Sequence, residues 1–342
     1  MTSDNDLSTE VVRDLPAFLA LRDEWEDLRS RARFATVSLS HKWLRLSWEQ
    51  SWRRFPNQLR IVLVRERGRL VMAGAFAVYL FRGWPSVHFL DSGTPQSDDV
   101  LYARSGDGIA WGRQLLTALR RSLPFPMTLR AERLREDCPL MAAATALGWR
   151  TRTRQHTIAA TLELADHADF EAYLQSLSNK TRGGHRRHLR QLMELDRFSF
   201  RRETGEDRFT TLAWMLDRKR EWLERKGLRA DWLRDRRFDR FADALLRGDD
   251  VPEFWVLAMR TGERMIAAKL CFVERETLNY SKITHDPEFD RWSPGFTANV
   301  LMIREAYAAG LSRIDMGYGN FDTKSRLTKR THEVMLARIE MR

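Results

Sequence analysis

The densest run of residues able to do chemistry lies between positions 277 and 324. Ser293-Pro294-Gly295 stands directly before the apolar stretch FTANVLMIREAYAAG. Pro and Gly at a helix start leave free backbone amides at the positive end of the helix dipole, and Gly lets a ligand approach the backbone, so the step suits a phosphate. Arg291 stands close by to add charge, although the same step also opens helices that bind nothing. His285 carries the side chain best suited to proton transfer at neutral pH, or else is a turn residue bonded to backbone. Asp315 can orient a base, bind an amine or cap a turn; Lys324 can hold an anionic group or face solvent; Tyr280 can donate a proton or fill a core. A second cluster, SNKTRGGHRRHLRQL at 178–192, holds Lys180, Arg182, Arg186, Arg187 and Arg190 with His185 and His188 and no acid. It suits a phosphate-bearing substrate, a nucleic-acid backbone, an anionic membrane or a solvated helix face. Gly183-Gly184 predicts a bend or a helix start within it, at ~1 kcal/mol per Gly.

These residues need a scaffold, and the pattern of the chain supplies an α/β one. The first 55 residues read as helices: Asp14 caps one with Pro16 in its first turn, and Trp43, Leu44, Trp48 and Trp52 mark another over 40–52. From Leu59 the period becomes that of strands, with a hairpin turning at Arg67-Gly68, then a strand at 87–90, a helix at 108–121, a strand MTLRA, a helix PLMAAATALG and a strand at 157–164. Residues 169–195 and 207–247 read as helical, the latter interrupted near Gly227. The hairpin pattern then returns at 253–274, with Gly68 matching Gly262 at an offset of 194. A strand (TLNYSKITHD), a turn-rich loop, a helix, a strand (LSRIDMG) and a loop (YGNFDTKSR) follow. Two related α/β halves are the economical reading.

Length and composition set the outer limits. The chain has 342 residues with 43% hydrophobic and 31% charged positions, enough to bury large cores and unlike a disordered chain. The longest unbroken apolar run, residues 70–81, falls short of the ~20 residues that span a bilayer. The start, MTSDNDLSTE, lacks the basic and apolar regions of a secretory signal, so the expectation is a cytoplasmic protein. Cys138 and Cys271 stand far apart without metal-ligand spacing, so neither a disulfide framework nor a metal site is expected. The net charge of +11 favours anionic partners without choosing among them. The nucleophile elbow GxSxG does not occur, and neither Cys has a His at a telling spacing.

The run HDPEFDRWSPGFTANVLMIREAYAAGLSRIDMGYG, followed by Lys324, resembles the second domain of BioF2-like or CelD-type acyltransferases of the GNAT superfamily, relatives of the FemAB aminoacyltransferases. Asp286-Pro287, Ser293-Pro294-Gly295, Gly310, Asp315, Gly317 and Lys324 fit that pattern, and the basic segment 178–192 resembles the family's Arg-rich helix. Thr323 stands where the family has Tyr, and Tyr318-Gly319 replaces a charged residue and Gly. The resemblance implies tandem GNAT-like domains, each a mixed central sheet flanked by helices. Residues 1–165 would be a degenerate copy with a helical start, and 166–342 an acyl-CoA-binding domain preceded by the basic helix. It implies that the strand 278–285 pairs with the pantetheine arm, and that Arg291, Ser293, Pro294, Gly295 and Phe296 hold the diphosphate of acyl-CoA. An acceptor amine or hydroxyl then attacks the thioester directly, with His285 as base, Asp315 beside it, Lys324 on an anionic part and Tyr280 protonating the leaving thiolate. Lys180, Arg186, Arg187 and Arg190 would bind the substrate. The implied reaction is transfer of an acyl group, acetyl in the first instance, to a small-molecule, glycan or lipid acceptor of cell-envelope or polysaccharide metabolism, without a metal. The alternatives are a FemAB-like transferase using aminoacyl-tRNA and a non-catalytic protein that binds nucleic acid or an anionic membrane surface.

Overall fold

The first element is a strand, β1 (Leu7–Val12), where the sequence predicts only helices; it pairs antiparallel with Ile61–Glu66 of the next strand, and six residues are too few to show a period. The fold is that of a computed structural model in which residues 6–50, 58–90, 98–230, 233, 236–247, 253–318 and 321–342 are described. Three helices follow β1: α1 (Leu15–Ala20), α2 (Arg22–Ser30) and α3 (His41–Gln50). Asp14 caps α1 as predicted, accepting from the Ala17 N–H at 2.9 Å. Trp52 lies outside the described residues.

The first unit comprises residues 1–157 and 333–342. Its strands β2 (Leu59–Glu66), β3 (Arg69–Phe81) and β4 (Trp84–Phe89) form an antiparallel meander, and β5 (Leu101–Tyr102) adds to β3. Helix α4 (Gly108–Arg121) then crosses over to β6 (Met127–Arg135), which runs parallel to β4, and α5 (Pro139–Ala146) leads to β7 (Arg150–Glu163). Residues of β2 alternate between two cores. Ile61 and Leu63 pack with Phe18, Trp25 and Leu28, whereas Val62 and Val64 pack with Trp111, Leu115 and Leu119 of α4. Burial on both faces explains why the hairpin reads as nearly continuous apolar sequence.

The second unit, residues 158–332, holds the end of β7, then α6 (Phe170–Ser176), α7 (Asn179–Met193), β8 (Phe198–Arg202), α8 (Asp207–Arg225) and α9 (Arg237–Leu246). Next come β9 (Glu253–Thr261), β10 (Arg264–Glu274) and β11 (Thr277–His285), a second antiparallel meander, to which β8 adds beside β9. Helix α10 (Pro294–Ala308) crosses over to β12 (Arg313–Asp315), parallel to β11, and α11 (Phe321–Lys324) follows. The core lies between the sheet (Leu257, Cys271, Leu278) and Tyr173, Val300 and Ile303 of the helices.

Three further expectations are corrected. The helix predicted over 169–195 is two helices, because Leu177 leaves the helix and Ser178 caps the next one through the Thr181 N–H. No helix starts at Gly183-Gly184: α7 begins at Asn179 and runs through both, held by buried Thr181, His185 and Leu192. The C-terminal strand β13 (Thr331–Met341) does not stay with the second half. From Glu333 it belongs to the first unit, where it pairs antiparallel with β6 from Val334↔Arg135 to Met341↔Met127. The hairpin repeat holds with a shift of one residue. The two-residue turns are Arg67-Gly68 and Gly262-Glu263, and the unpaired strand residues after them are Val71 and Ile266.

Candidate active site

Strands β11 and β12 pair only from Thr277↔Arg313 to Asn279↔Asp315, and beyond that β11 runs on to His285 paired with β10 alone. A bulge falls at the same place, since Leu270 faces Lys282 while Cys271 faces Tyr280. A strand that loses its neighbour beside a bulge leaves backbone and side chains open to a ligand. The opening is a cavity of about 390 Å³, lined by Tyr280, Ile283 and His285 of β11, by Ser293 to Phe296, Asn299 and Met302 of α10, and by Met316, Thr323, Lys324 and Arg326. Asp290 completes the wall beside His285.

Helix α10 opens onto this cavity with its first turn uncapped. Ser293 sits in a left-handed conformation (φ +47°) and makes no side-chain cap, so the early amides keep their donors. A Cβ on Gly295 would stand 3.5 Å from His285 Nδ1, so glycine keeps the imidazole uncovered there. His285 Nε2 lies 2.7 Å from Asp290 Oδ1. A carboxylate only accepts, so Nε2 carries the proton and in the neutral ring Nδ1 holds the lone pair, beside the start of α10.

Lys324 is buried and donates to the Gly317 carbonyl at 2.9 Å and the Tyr318 carbonyl at 2.6 Å. Burial pushes it down to about 8, against the raising effect of Asp315. An ammonium has three donors, so one remains for a ligand. Asp315 accepts from the Gly317 N–H at 2.7 Å, shaping the loop that holds Lys324, and does not line the cavity. Half-buried Tyr280 has its hydroxyl pushed up by desolvation, which keeps it protonated. Arg291 stacks on Trp292 at 3.9 Å and also lies off the cavity wall, whereas Arg326, over the Phe296 ring at 4.1 Å, is part of it.

Sequence reasoning missed Lys269 and Asn299. Lys269 is fully buried in β10, its Nζ 4.0 Å from the Tyr280 ring centroid and bonded to Asn299 Oδ1, and burial pushes it down to about 8. A lysine only donates, so the amide oxygen is the atom turned towards it and the Asn299 Nδ2 donors turn away, on a residue of the cavity wall. The signal was a charge inside the apolar strand MIAAKLCFV.

On α7, Lys180, Arg186, Arg187 and Arg190 are exposed, and Arg182 turns back to the carbonyls of Gln175 and Leu177. His185 is buried, pushed down to about 4 chiefly by desolvation, and is therefore neutral. His188 is lowered by burial first and then by the positive charges of Arg187 and of Arg326, the latter a residue of the cavity wall. Among the described residues no group of three His, Cys, Asp or Glu could hold a metal ion, and both cysteines are buried thiols.

Residues 179–325 match the family model described as the acetyltransferase (GNAT) domain. The second unit carries a GNAT domain. Solved structures extend the likeness of fold to nearly the whole chain. FemX is 12% identical with a TM-score of 0.61, over 96% of this chain and 96% of its own. The C-terminal domain (DUF2156) of a putative lysylphosphatidylglycerol synthetase from Agrobacterium fabrum is 12% identical with a TM-score of 0.58, over 94% of this chain and 92% of its own. A conserved protein of unknown function from Bacteroides thetaiotaomicron is 12% identical with a TM-score of 0.59, over 97% of this chain and all of its own (100%). No curated protein matches the chain. The GNAT domain thus holds the uncapped helix, the His285–Asp290 pair and the buried Lys269 and Lys324 within one unit.

Proposed function

We propose that the second unit transfers an acyl group from acyl-CoA to an amine or hydroxyl acceptor. The observation that carries this reading is the uncapped start of α10 at a cavity that also holds a paired imidazole. Ser293 to Phe296 and Arg326 would hold the diphosphate, through backbone amides and one guanidinium, and the open edge of β11 would take the pantetheine arm. Bound there, the thioester supplies the acyl group and its activated carbonyl. His285 Nδ1 takes the proton of the acceptor, and Asp290 keeps the ring in the tautomer that allows it. Lys324 and Asn299 turn N–H donors towards the cavity, where charge on a carbonyl oxygen can be met, and Tyr280 keeps a proton for the leaving sulfur. No nucleophile of the protein is required.

The exposed Lys180, Arg186, Arg187 and Arg190 favour an acceptor with negative charge, such as a phosphate-bearing glycan or lipid, in the cytoplasm. The first unit, on this reading, is a degenerate copy without a donor site. Titration calorimetry with coenzyme A and with acetyl-CoA should show one site per chain, and free thiol should appear when amine or phosphorylated sugar acceptors are added. Absence of heat with both nucleotides would sink the donor assignment. Replacing Arg186, Arg187 and Arg190 by Ala should raise KM for an anionic acceptor without changing CoA affinity, and added salt should shrink that difference.

A further inference from the structure

Among the described residues the hairpin between β3 and β4 runs past the last pairs that β2 and β6 make with it. β2 ends its pairing at Leu59↔Ala77, and β6 pairs β4 only at Val87 and His88, so among the described residues the tip from Tyr79 to Ser86 is a two-stranded finger. Arg82 (φ +52°) and Gly83 (φ +82°) make the tight turn, a pairing that matches the strands' own twist. Trp84 (78%) and Leu80 (67%) are the two most exposed large hydrophobic side chains among the described residues.

Cross-strand register puts these side chains on opposite faces. Phe81 is paired with Trp84 and Leu80 with Pro85, so each face of the finger carries an apolar pair at its end. Guanidinium groups surround one of them: Arg130 lies 4.4 Å and Arg82 5.5 Å from the Phe81 ring, and Arg338 stands directly opposite Arg130 across the β6–β13 ladder. No ion pair to these three arginines occurs among the described residues, and Arg130 Nε is buried without a partner. A protein groove or a stacked nucleobase covers one face of a strand pair. A finger apolar on both faces, with an indole at its end and unpaired cations at its base, is built to be surrounded, as in the headgroup layer of a bilayer, where Trp and Arg are favoured together.

We propose that the β3–β4 finger docks the protein on anionic lipid, with Leu80 and Trp84 entering the interface and Arg82, Arg130 and Arg338 meeting the headgroups. The docking site belongs to the first unit and does not depend on the acyltransferase reading. Co-sedimentation of the full chain with vesicles of phosphatidylglycerol and phosphatidylcholine should show binding that falls at least ~10-fold on pure phosphatidylcholine and with rising salt. L80S/W84S should lose ~10-fold or more of it while keeping the circular dichroism of the parent, since both side chains are exposed. R82Q/R338Q should leave a weaker binding with a shallower salt dependence, since Arg130 remains. Retention of parental binding by L80S/W84S overturns the proposal, as does a loss produced only by the α7 triple substitution. Dimers in sedimentation velocity that W84S abolishes, or RNA binding that W84S but not L80S abolishes, would assign the finger to another partner.

Discussion

Helices α4 and α10 hold the same place in their units: each follows a three-strand antiparallel meander and crosses over to a strand parallel to the last of the three. They begin in opposite ways. The Asp107 carboxylate accepts from the Ile109 N–H at 3.0 Å and the Ala110 N–H at 2.9 Å, so the chain's own anion sits on the end of α4. A Cβ on the preceding Gly106 would run into the Trp111 ring, so that loop is already roofed. At α10 a left-handed Ser293 leaves the amides open. Space alone does not separate the two, because the cavity beside α4, about 610 Å³, is larger than the one beside α10, about 390 Å³. The difference lies in what the helix end already holds, and in the balance of charge on the wall, where Asp107, Glu136 and Asp137 outnumber Arg33 and Arg104 in one case and Lys324 and Arg326 outnumber Asp290 in the other.

Several substitutions can break or sharpen this contrast. The largest effect is expected from Gly295→Glu, which brings a carboxylate into the first turn of α10, beside amides of the kind that Asp107 occupies at α4, and covers His285 Nδ1; CoA affinity should fall ~100-fold or more by calorimetry. Unchanged affinity would show that the uncapped helix end is not the anion site. His285→Gln should lower kcat by ~100-fold with little change in KM, and Asp290→Asn should lower it less, as expected for a positioning partner. Lys324→Met tests the donor opposite the base. The group is pushed down to about 8, so a role as ammonium predicts that wild-type kcat falls as pH rises through about 8, and Lys324→Met should lack that limb.

Lys269 gives a smaller effect, read in stability. Its value falls from 10.5 in the unfolded chain to about 8 in the fold, so between those pH values the unfolded chain binds more protons. Stability contributed by this group therefore rises from pH about 8 to 10.5, by on the order of 1–3 kcal/mol. Denaturant melts should show Lys269→Met without its share of that rise, and an identical pH slope in the two proteins would contradict the burial. The smallest effect belongs to Asp107→Ala. It should cost ~1 kcal/mol of stability through the lost cap and leave CoA binding at α10 unchanged.

What the sequence disclosed follows the range of the interactions involved. Helix α4 was legible to the residue because its cap, its apolar stripe and its end are all local. The β2–β3 hairpin was legible through Arg67-Gly68, and the Pro294-Gly295 start through its own two residues. Strand β13 was not, because Val334–Met341 forms its ladder with β6, about two hundred residues earlier. The same holds inside the site. His285 and Lys324 stood out by type, whereas Arg326 replaced Arg291 on the cavity wall only because the chain after α11 returns to Phe296. Lys269 was hidden because burial of a charge is a property of the packed sheet and not of its neighbours in the chain.

The return of β13 has a consequence for biosynthesis. While the ribosome makes residues 158–332, the first unit lacks the strand that pairs with β6, although most of its chain has already emerged. The second unit, contiguous in sequence, can fold before the first is complete. For that interval the ladder positions of β6 from Met127 to Arg135 stand unpaired on the β13 side, with Leu129 and Ala131 among them, a template that a neighbouring nascent chain could join. Strand β13 therefore both completes the first unit and covers that side of β6, and a stall before residue 333 would leave the ladder positions of β6 open.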